Sequence, residues 1–422
     1  MNIRKSLSAL FHQDYLFSVF SKITGVFIAV VYSAFYNRYL GTYLKGDAAI
    51  ISNYISLISA FMALGMYQAY PYYRKKDKNV FYPFVNNMTS LYLILTIACV
   101  IAAGIMPVNV NLKFAICFVP IQAFIRHINY VVMIEAPQRR NVSSIIISLT
   151  DLVVVLAFFF FSKATYGYLI AILLIQNLIN LGISFANLKV DLKMLRFDLS
   201  EVLKYASYGI LPMFTLMLLT LNYRVDILML EDLFHVPKSE IGVYSVGVAL
   251  AEKIWLVPDA LKDILMSHLA GGRDKEEVAK VTRMSLCVVL FMLAGMVFLG
   301  KPFILLLYGA EYSGAYEILI IMLVGVIGMV FYKMVYAYNV VNGNRTVNLL
   351  FLALAAILNI IGNYFSIPIG GIAAAAWASV LSYTVCGFAY LVYFCTVEKV
   401  KVTHMLFIRK EDIHSALLLI KH

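Results

Sequence analysis

A chain of 422 residues that is 62% hydrophobic and only 14% charged is not an ordinary soluble domain, where about a quarter of residues carry charge. Its net charge of +11 would suit a nucleic-acid partner, but the basic residues sit in short turns between apolar stretches, where they orient a membrane chain and meet anionic lipid. The five cysteines lie in or beside those stretches without a CxxC pair, no Cys/His cluster has metal-ligand spacing, and no G-x-x-x-x-G-K-[ST] loop offers a nucleotide site.

Residues 1–14 have no apolar signal-peptide core. They place Ile3, Leu7, Leu10 and Phe11 on one helical face, which predicts an interfacial N-terminal segment. Twelve apolar stretches follow, near 15–40, 46–72, 81–106, 111–134, 140–162, 166–188, 201–230, 240–268, 280–307, 312–341, 345–368 and 371–396. Each supplies the roughly 20 residues that cross about 30 Å of hydrocarbon. The expected fold is an all-α integral membrane protein with twelve transmembrane helices. Six fall in 15–188 and six in 201–396, forming two six-helix bundles around a cytoplasmic linker, 189–200, with a cytoplasmic tail at 397–422. Most of the 34 Lys and Arg residues lie in every second connection, while the intervening ones hold only Lys45, Lys113, Lys163, Lys238 and Lys301. The positive-inside rule therefore places both termini in the cytoplasm. No connection is long enough for an extramembrane catalytic domain.

The halves echo one another. Arg139-Arg140-Asn141-Val142 leads into the fifth stretch and Asn344-Arg345-Thr346-Val347 into the eleventh. A short Gly-containing turn leads into the sixth at Gly167 and into the twelfth at Gly370-Gly371. Two halves that both begin in the cytoplasm predict a parallel repeat, an arrangement that puts a substrate site between lobes. Chance likeness between apolar helices is the competing account.

Charges within the stretches are the candidate site. An ionised group at mid-bilayer costs roughly 2.5–3.5 kcal/mol on insertion scales, and persists there through a partner, a wet cavity or a function. Lys22, Arg126, Arg224, Lys253 and Lys333 are candidate ligand-binding cations. Asp151, Asp226 and Glu252 are candidate ion-coupling sites, with salt bridges inside the bundle as the competing reading. At about 100° per residue, Ser245, Glu252, Asp259 and Asp263 share one face of a straight helix and Lys253 points away. Arg224 and Asp226 cannot face one cavity. Arg38, Lys262 and Asp263, with Lys22 a further candidate, lie near stretch ends and can snorkel. Polar stripes recur: Gln122, Arg126 and Asn129; Asn141, Ser144, Ser148 and Asp151; Asn177, Asn180, Ser184 and Asn187; Asn348, Asn359 and Asn363. They suit either a wet internal surface or hydrogen bonds between helices. Tyr332, Tyr336 and Tyr338 surround Lys333 in sequence. Pro120, Pro212 and Pro258 each remove a backbone donor and are candidate hinges or static kinks.

The sequence resembles Wzx-type polysaccharide flippases of the MOP (multidrug/oligosaccharidyl-lipid/polysaccharide) exporter superfamily. The likeness is carried by Arg38-Tyr39-Leu40-Gly41 with Gly46, Leu64-Gly65, Gly209-Ile210-Leu211-Pro212, Ile241-Gly242-Val243-Tyr244-Ser245-Val246, Val257-Pro258-Asp259, Leu307-Tyr308-Gly309-Ala310-Glu311-Tyr312, Asn342-Gly343-Asn344 and Ile367-Pro368-Ile369-Gly370-Gly371. It implies two six-helix bundles around a central cavity in a bacterial cytoplasmic membrane. It implies transport of an undecaprenyl-pyrophosphate-linked O-antigen, capsule or exopolysaccharide unit to the periplasmic leaflet. Expected partners are that lipid-linked glycan, the bilayer, and a polymerase and chain-length regulator of the same pathway, with no nucleic acid. No enzyme activity and no cofactor are expected; an H+ or Na+ gradient, or consumption of product outside, would supply energy. Twelve stretches depart from the fourteen typical of lipid II flippases in that superfamily. A MATE-like cation-coupled drug exporter is the nearest alternative. A membrane glycosyltransferase or polymerase is the alternative from another class, and would need a long periplasmic loop or a D-x-D motif.

Overall fold

The computed structural model describes the backbone of residues 2–188, 197–272, 274–409 and 412, and within those ranges side chains from residue 24 onward except at 137 and 270. Every regular element among the described residues is helical. In a bilayer this is the economical solution, because a helix satisfies its backbone groups internally. Contacts group the chain into two compact units, Met1–Met217 and Leu218–His422. Most of the expected linker, 189–196, lies outside the described residues.

The first unit begins with α1 (Asn2–Met62), interrupted at Gly41, whose φ of 64° is one that side chains with a Cβ rarely adopt. A 46° bend then leads through a 3-10 turn at Met66–Ala69 into α2 (Tyr70–Lys76). The unit continues with α3 (Phe81–Ile105), α4 (Val110–Glu135), α5 (Pro137–Phe161) and α6 (Tyr166–Leu188). Asn109 caps α4 by accepting from the Leu112 N–H at 2.8 Å. α1 packs on α4 and α5, and α4 also packs on α3 and α6. α7 (Leu199–Leu228) runs from this unit into the second.

The second unit adds α8 (Lys238–Lys253), α9 (Leu256–Ala270), α10 (Lys275–Leu307), α11 (Ala315–Val341), α12 (Arg345–Val397) and the short α13 (Val402–Leu406). α11 is its central helix, packed against α8, α9, α10 and α12. The α11–α12 crossing is close because Gly328 meets Gly387: a Cβ on Gly387 would overlap the Gly328 backbone. Small residues at such crossings are how membrane helices gain packing without a hydrophobic drive. α10 instead turns Phe291 and Phe298 outward, as a lipid-facing surface does.

Among the described residues, eight helices are long and apolar enough to cross a membrane, and ten spans result if each of two bent pairs counts once. The twelve expected stretches exceed this because two helices each carry two of them. α12 covers 345–368 and 371–396 in 53 residues, with its break at Gly370 and Gly371. Straight, it would reach about 80 Å, far beyond one hydrocarbon core of about 30 Å. α1 likewise covers the first stretch and most of the second on either side of Gly41.

Candidate functional site

A cavity of about 510 Å³ opens in the second unit, where α7, α8, α9 and α11 meet. The α8–α9 junction builds its floor. α8 ends at Lys253, the chain turns through Ile254 and Trp255, and α9 departs at 40°. Pro258 fits in the first turn of α9, where its missing N–H would have no helical acceptor. The bend therefore sits beside one hinge candidate. The other two, Pro120 and Pro212, lie inside the continuous helices α4 and α7.

Four cations line the cavity, Arg224, Lys253, Lys262 and Lys333, against two carboxylates, Glu252 and Asp259. Arg224 meets Glu252 in a two-pronged pair, both contacts at 3.2 Å. Lys333 donates to Asp259 Oδ2 at 2.6 Å, and Lys262 to Asp259 Oδ1 at 3.3 Å. Lys253 is exposed and has no carboxylate within 4 Å among the described residues. Tyr223, Trp255, Tyr332 and Tyr336 supply the aromatic wall. Lys333 Nζ lies 5.1 Å from the centre of the Trp255 ring, within cation–π range. The arrangement is a net-positive chamber with flat faces: it can hold an anion and stack planar or sugar surfaces.

Four expectations change here. Glu252 and Lys253 face the same cavity, because the helix ends at that point and the straight-helix phase does not continue. The predicted stripe also breaks up: on α8 Ser245 is buried away from the cavity lining, and beyond the bend Asp263 is exposed and outside it. Lys262 does not snorkel away but shares Asp259 with Lys333. Tyr332 and Tyr336 accompany Lys333, whereas Tyr338 packs on Phe394 with ring centres 5.1 Å apart. Trp255 and Tyr223 escaped the sequence reading; Trp255, one of two tryptophans and next to an acid–base pair, was the available signal.

Asp226 faces elsewhere, as its helical phase requires. It accepts from the Tyr244 hydroxyl, from Ser379 Oγ at 3.3 Å and from the Ile227 N–H at 2.8 Å. Around it Asn359 donates to Asn222 O at 3.1 Å and to Ser379 at 3.2 Å, and Ser382 donates to Asn222 Oδ1 at 2.5 Å. All of these side chains are buried.

In the first unit, Arg126 touches Ser59 Oγ at 3.4 Å, and its Nη1 is buried with no hydrogen-bond partner among the described residues. Asp151 likewise leaves Oδ1 unpartnered among the described residues. Lys22 has a described backbone, but its side chain lies outside the described residues. The polar stripes of this unit largely bond to each other across helices: Gln122 to Asn177, Ser184 to Asn129 at 2.8 Å, and Asn187 to Ser143 at 2.7 Å. Asp47 was also missed. It is buried at the start of an apolar run and accepts from Asn111 at 2.8 Å.

No protein-family model matches the chain, and no curated protein matches it significantly. Solved structures do. The lipid II flippase MurJ in an inward closed conformation has a TM-score of 0.72 at 16% identity, covering 97% of this chain and 92% of that one. A MATE transporter from Vibrio cholerae has a TM-score of 0.62 at 13% identity, covering 95% and 99%. A MOP superfamily transporter from Pyrococcus furiosus, described by the reverse polarity of its binding pocket, has a TM-score of 0.54 at 12% identity, covering 91% and 92%. The chain has the fold of MOP superfamily transporters.

Proposed function

We propose that this protein is a flippase that carries an undecaprenyl-pyrophosphate-linked oligosaccharide from the cytoplasmic to the periplasmic leaflet of a bacterial inner membrane. The observation that carries the reading is the cavity's charge, four cations against two carboxylates beside an aromatic wall. A pyrophosphate bears charge of the complementary sign, and sugars stack on aromatic faces. Lys253, with no acid within 4 Å among the described residues, is the first contact for phosphate; Lys333 and Arg224 contribute through cations already held by Asp259 and Glu252. Arg126 and Lys22 remain candidate phosphate-binding cations on the sequence argument that charges within apolar stretches need a function or a partner. The O-antigen, capsule or exopolysaccharide origin of the glycan, and delivery to a polymerase and chain-length regulator, rest on the sequence resemblance.

Counting α1 and α12 as two spans each brings ten spans to twelve, with cytoplasmic termini by the positive-inside rule. Transport then proceeds by alternating access, with H+ or Na+ coupling at Asp226 or Asp151. Asp226 is supported by its buried oxygen-rich surroundings, Asn222, Asn359, Ser379 and Tyr244. A MATE-like cation exporter is the second reading, favoured by Glu252 and Asp259 within the same cavity.

The test is leaflet-to-leaflet movement of a fluorescent undecaprenyl-pyrophosphate oligosaccharide in proteoliposomes. Movement that Lys253→Ala and Arg126→Ala abolish in folded protein is the expected result. Gradient-driven export of cationic dyes without lipid movement overturns it in favour of the second reading.

A further inference from the structure

A second basic cavity, of about 350 Å³, lies in the first unit at the ends of α2, α4, α5 and α6. Its chemistry is set by one carboxylate. Glu135, the last residue of α4, accepts from Arg74 Nε at 2.6 Å, from Arg74 Nη2 at 3.0 Å and from the Tyr70 hydroxyl at 2.5 Å. Both of its oxygens are thereby engaged, and Arg74 is neutralised. Arg74 also donates through Nη1 to the Lys78 carbonyl, which pins the turn that carries Lys78 to the cavity. The two remaining cations, Lys78 and Arg139, are exposed and have no carboxylate within 4 Å among the described residues. Arg139 has one contact, Nη1 to the Asn187 carbonyl at a long 3.4 Å. Beside them the walls turn apolar and aromatic, with Phe81 and a largely exposed Tyr82.

Two unpaired cations next to an exposed aromatic ring, at the ends of membrane helices, match an amphiphile with a phosphodiester head. Charge placement puts this end at the cytoplasmic leaflet, whose lipids are the anionic ones. A volume of about 350 Å³ falls within the range of small-ligand sites, enough for a phosphoglycerol head while its acyl chains stay in the bilayer. We propose that this cavity binds the headgroup of an anionic phospholipid, with Lys78 and Arg139 contacting its phosphate and the Arg74–Glu135 pair holding the turn in place. The proposal does not depend on what the cavity of the second unit carries.

The experiment uses the full chain in nanodiscs of equal phosphatidylglycerol and phosphatidylcholine, with retained lipids counted by native mass spectrometry. The wild type is expected to retain phosphatidylglycerol selectively. Lys78→Ala/Arg139→Ala is expected to reduce that selectivity about tenfold or more, since each basic residue near the surface contributes measurably to anionic-lipid attraction. Lys75→Ala/Lys76→Ala removes equal charge from residues outside the cavity and should leave the selectivity nearly intact. Equal losses in the two double variants, or none in either, overturn the proposal. Displacement of the lipid by millimolar inorganic phosphate overturns the lipid assignment and makes this a soluble-anion site. Circular dichroism separates both results from misfolding.

Discussion

Lys333 in the second unit and Arg126 in the first are both cations on membrane helices, and they are accommodated in opposite ways. Lys333 has a carboxylate at 2.6 Å and the Trp255 ring beside it. Among the described residues, Arg126 has one long contact to a serine hydroxyl and a buried nitrogen with no partner. A paired cation is held by its partner and loses much of its pull on a ligand. An under-satisfied one costs stability and retains its pull. The first kind therefore shapes the chamber of its own unit, and the second keeps its charge available within its own helix bundle.

The largest effect that separates them is expected at Asp259. Asp259→Ala leaves Lys333, only 7% exposed, without its carboxylate, and breaking such a pair from one side costs about 2–3 kcal/mol after allowing for the part-exposed Asp259. Thermal unfolding in detergent micelles checks this. Asp259→Ala/Lys333→Met should recover most of the loss, because the stranded charge is gone. A double variant no more stable than the single one would mean that Asp259 acts through something other than Lys333.

Lys253→Ala tests a cation that is exposed and unpaired. Stability should stay within about 0.5 kcal/mol. Affinity for a soluble pyrophosphate-sugar fragment should fall about tenfold, the loss of one charge-assisted contact. Arg126→Met is the complementary case. No carboxylate is stranded, so folding should be unchanged or favoured by up to about 1 kcal/mol. Clear destabilisation of Arg126→Met would show that Arg126 has an acidic partner and would remove the contrast between the units.

How much of this was legible beforehand follows from the range of each interaction. The breaks at Gly41 and at Gly370–Gly371 were visible, because glycine in an apolar run is a local signal. The bend between Lys253 and Leu256 was not, since α8 and α9 form one uninterrupted apolar run and Pro258 suits either a kink or a first turn. Cations and acids could be listed, but not paired: Lys333 and Asp259 are 74 positions apart, and Arg224 and Glu252 are 28 apart. The polar stripes on α4 and α6 face other helices, whereas the one expected along 245–263 does not stay together. Helical phase says that a face is polar; only the neighbouring helix decides whether water or another side chain meets it. In α4 and α6 the neighbour was another Asn, Gln or Ser.

The smallest expected effect concerns a pair that faces neither cavity. Arg283, 4% exposed on α10, grips Asp412 through Nε at 2.8 Å and Nη2 at 2.9 Å. It also donates to the His404 carbonyl, so one guanidinium fastens the segment after α12. The Arg283 hydrogen bonds, helped by the Arg409 N–H, hold the Asp412 carboxyl below the usual aspartate range despite the opposing effect of burial. A depressed folded value means that the contact contributes fully above the ordinary aspartate pKa and is lost as pH falls through the lower folded value. The segment should therefore stay docked at neutral pH and loosen only in strong acid. Asp412→Asn should reproduce the loosening at neutral pH, read as faster amide exchange over 398–409 with exchange in α11 unchanged. Protection of 398–409 that survives both treatments would leave the buried Met405 and Val400, rather than the ion pair, as what holds this segment to α10.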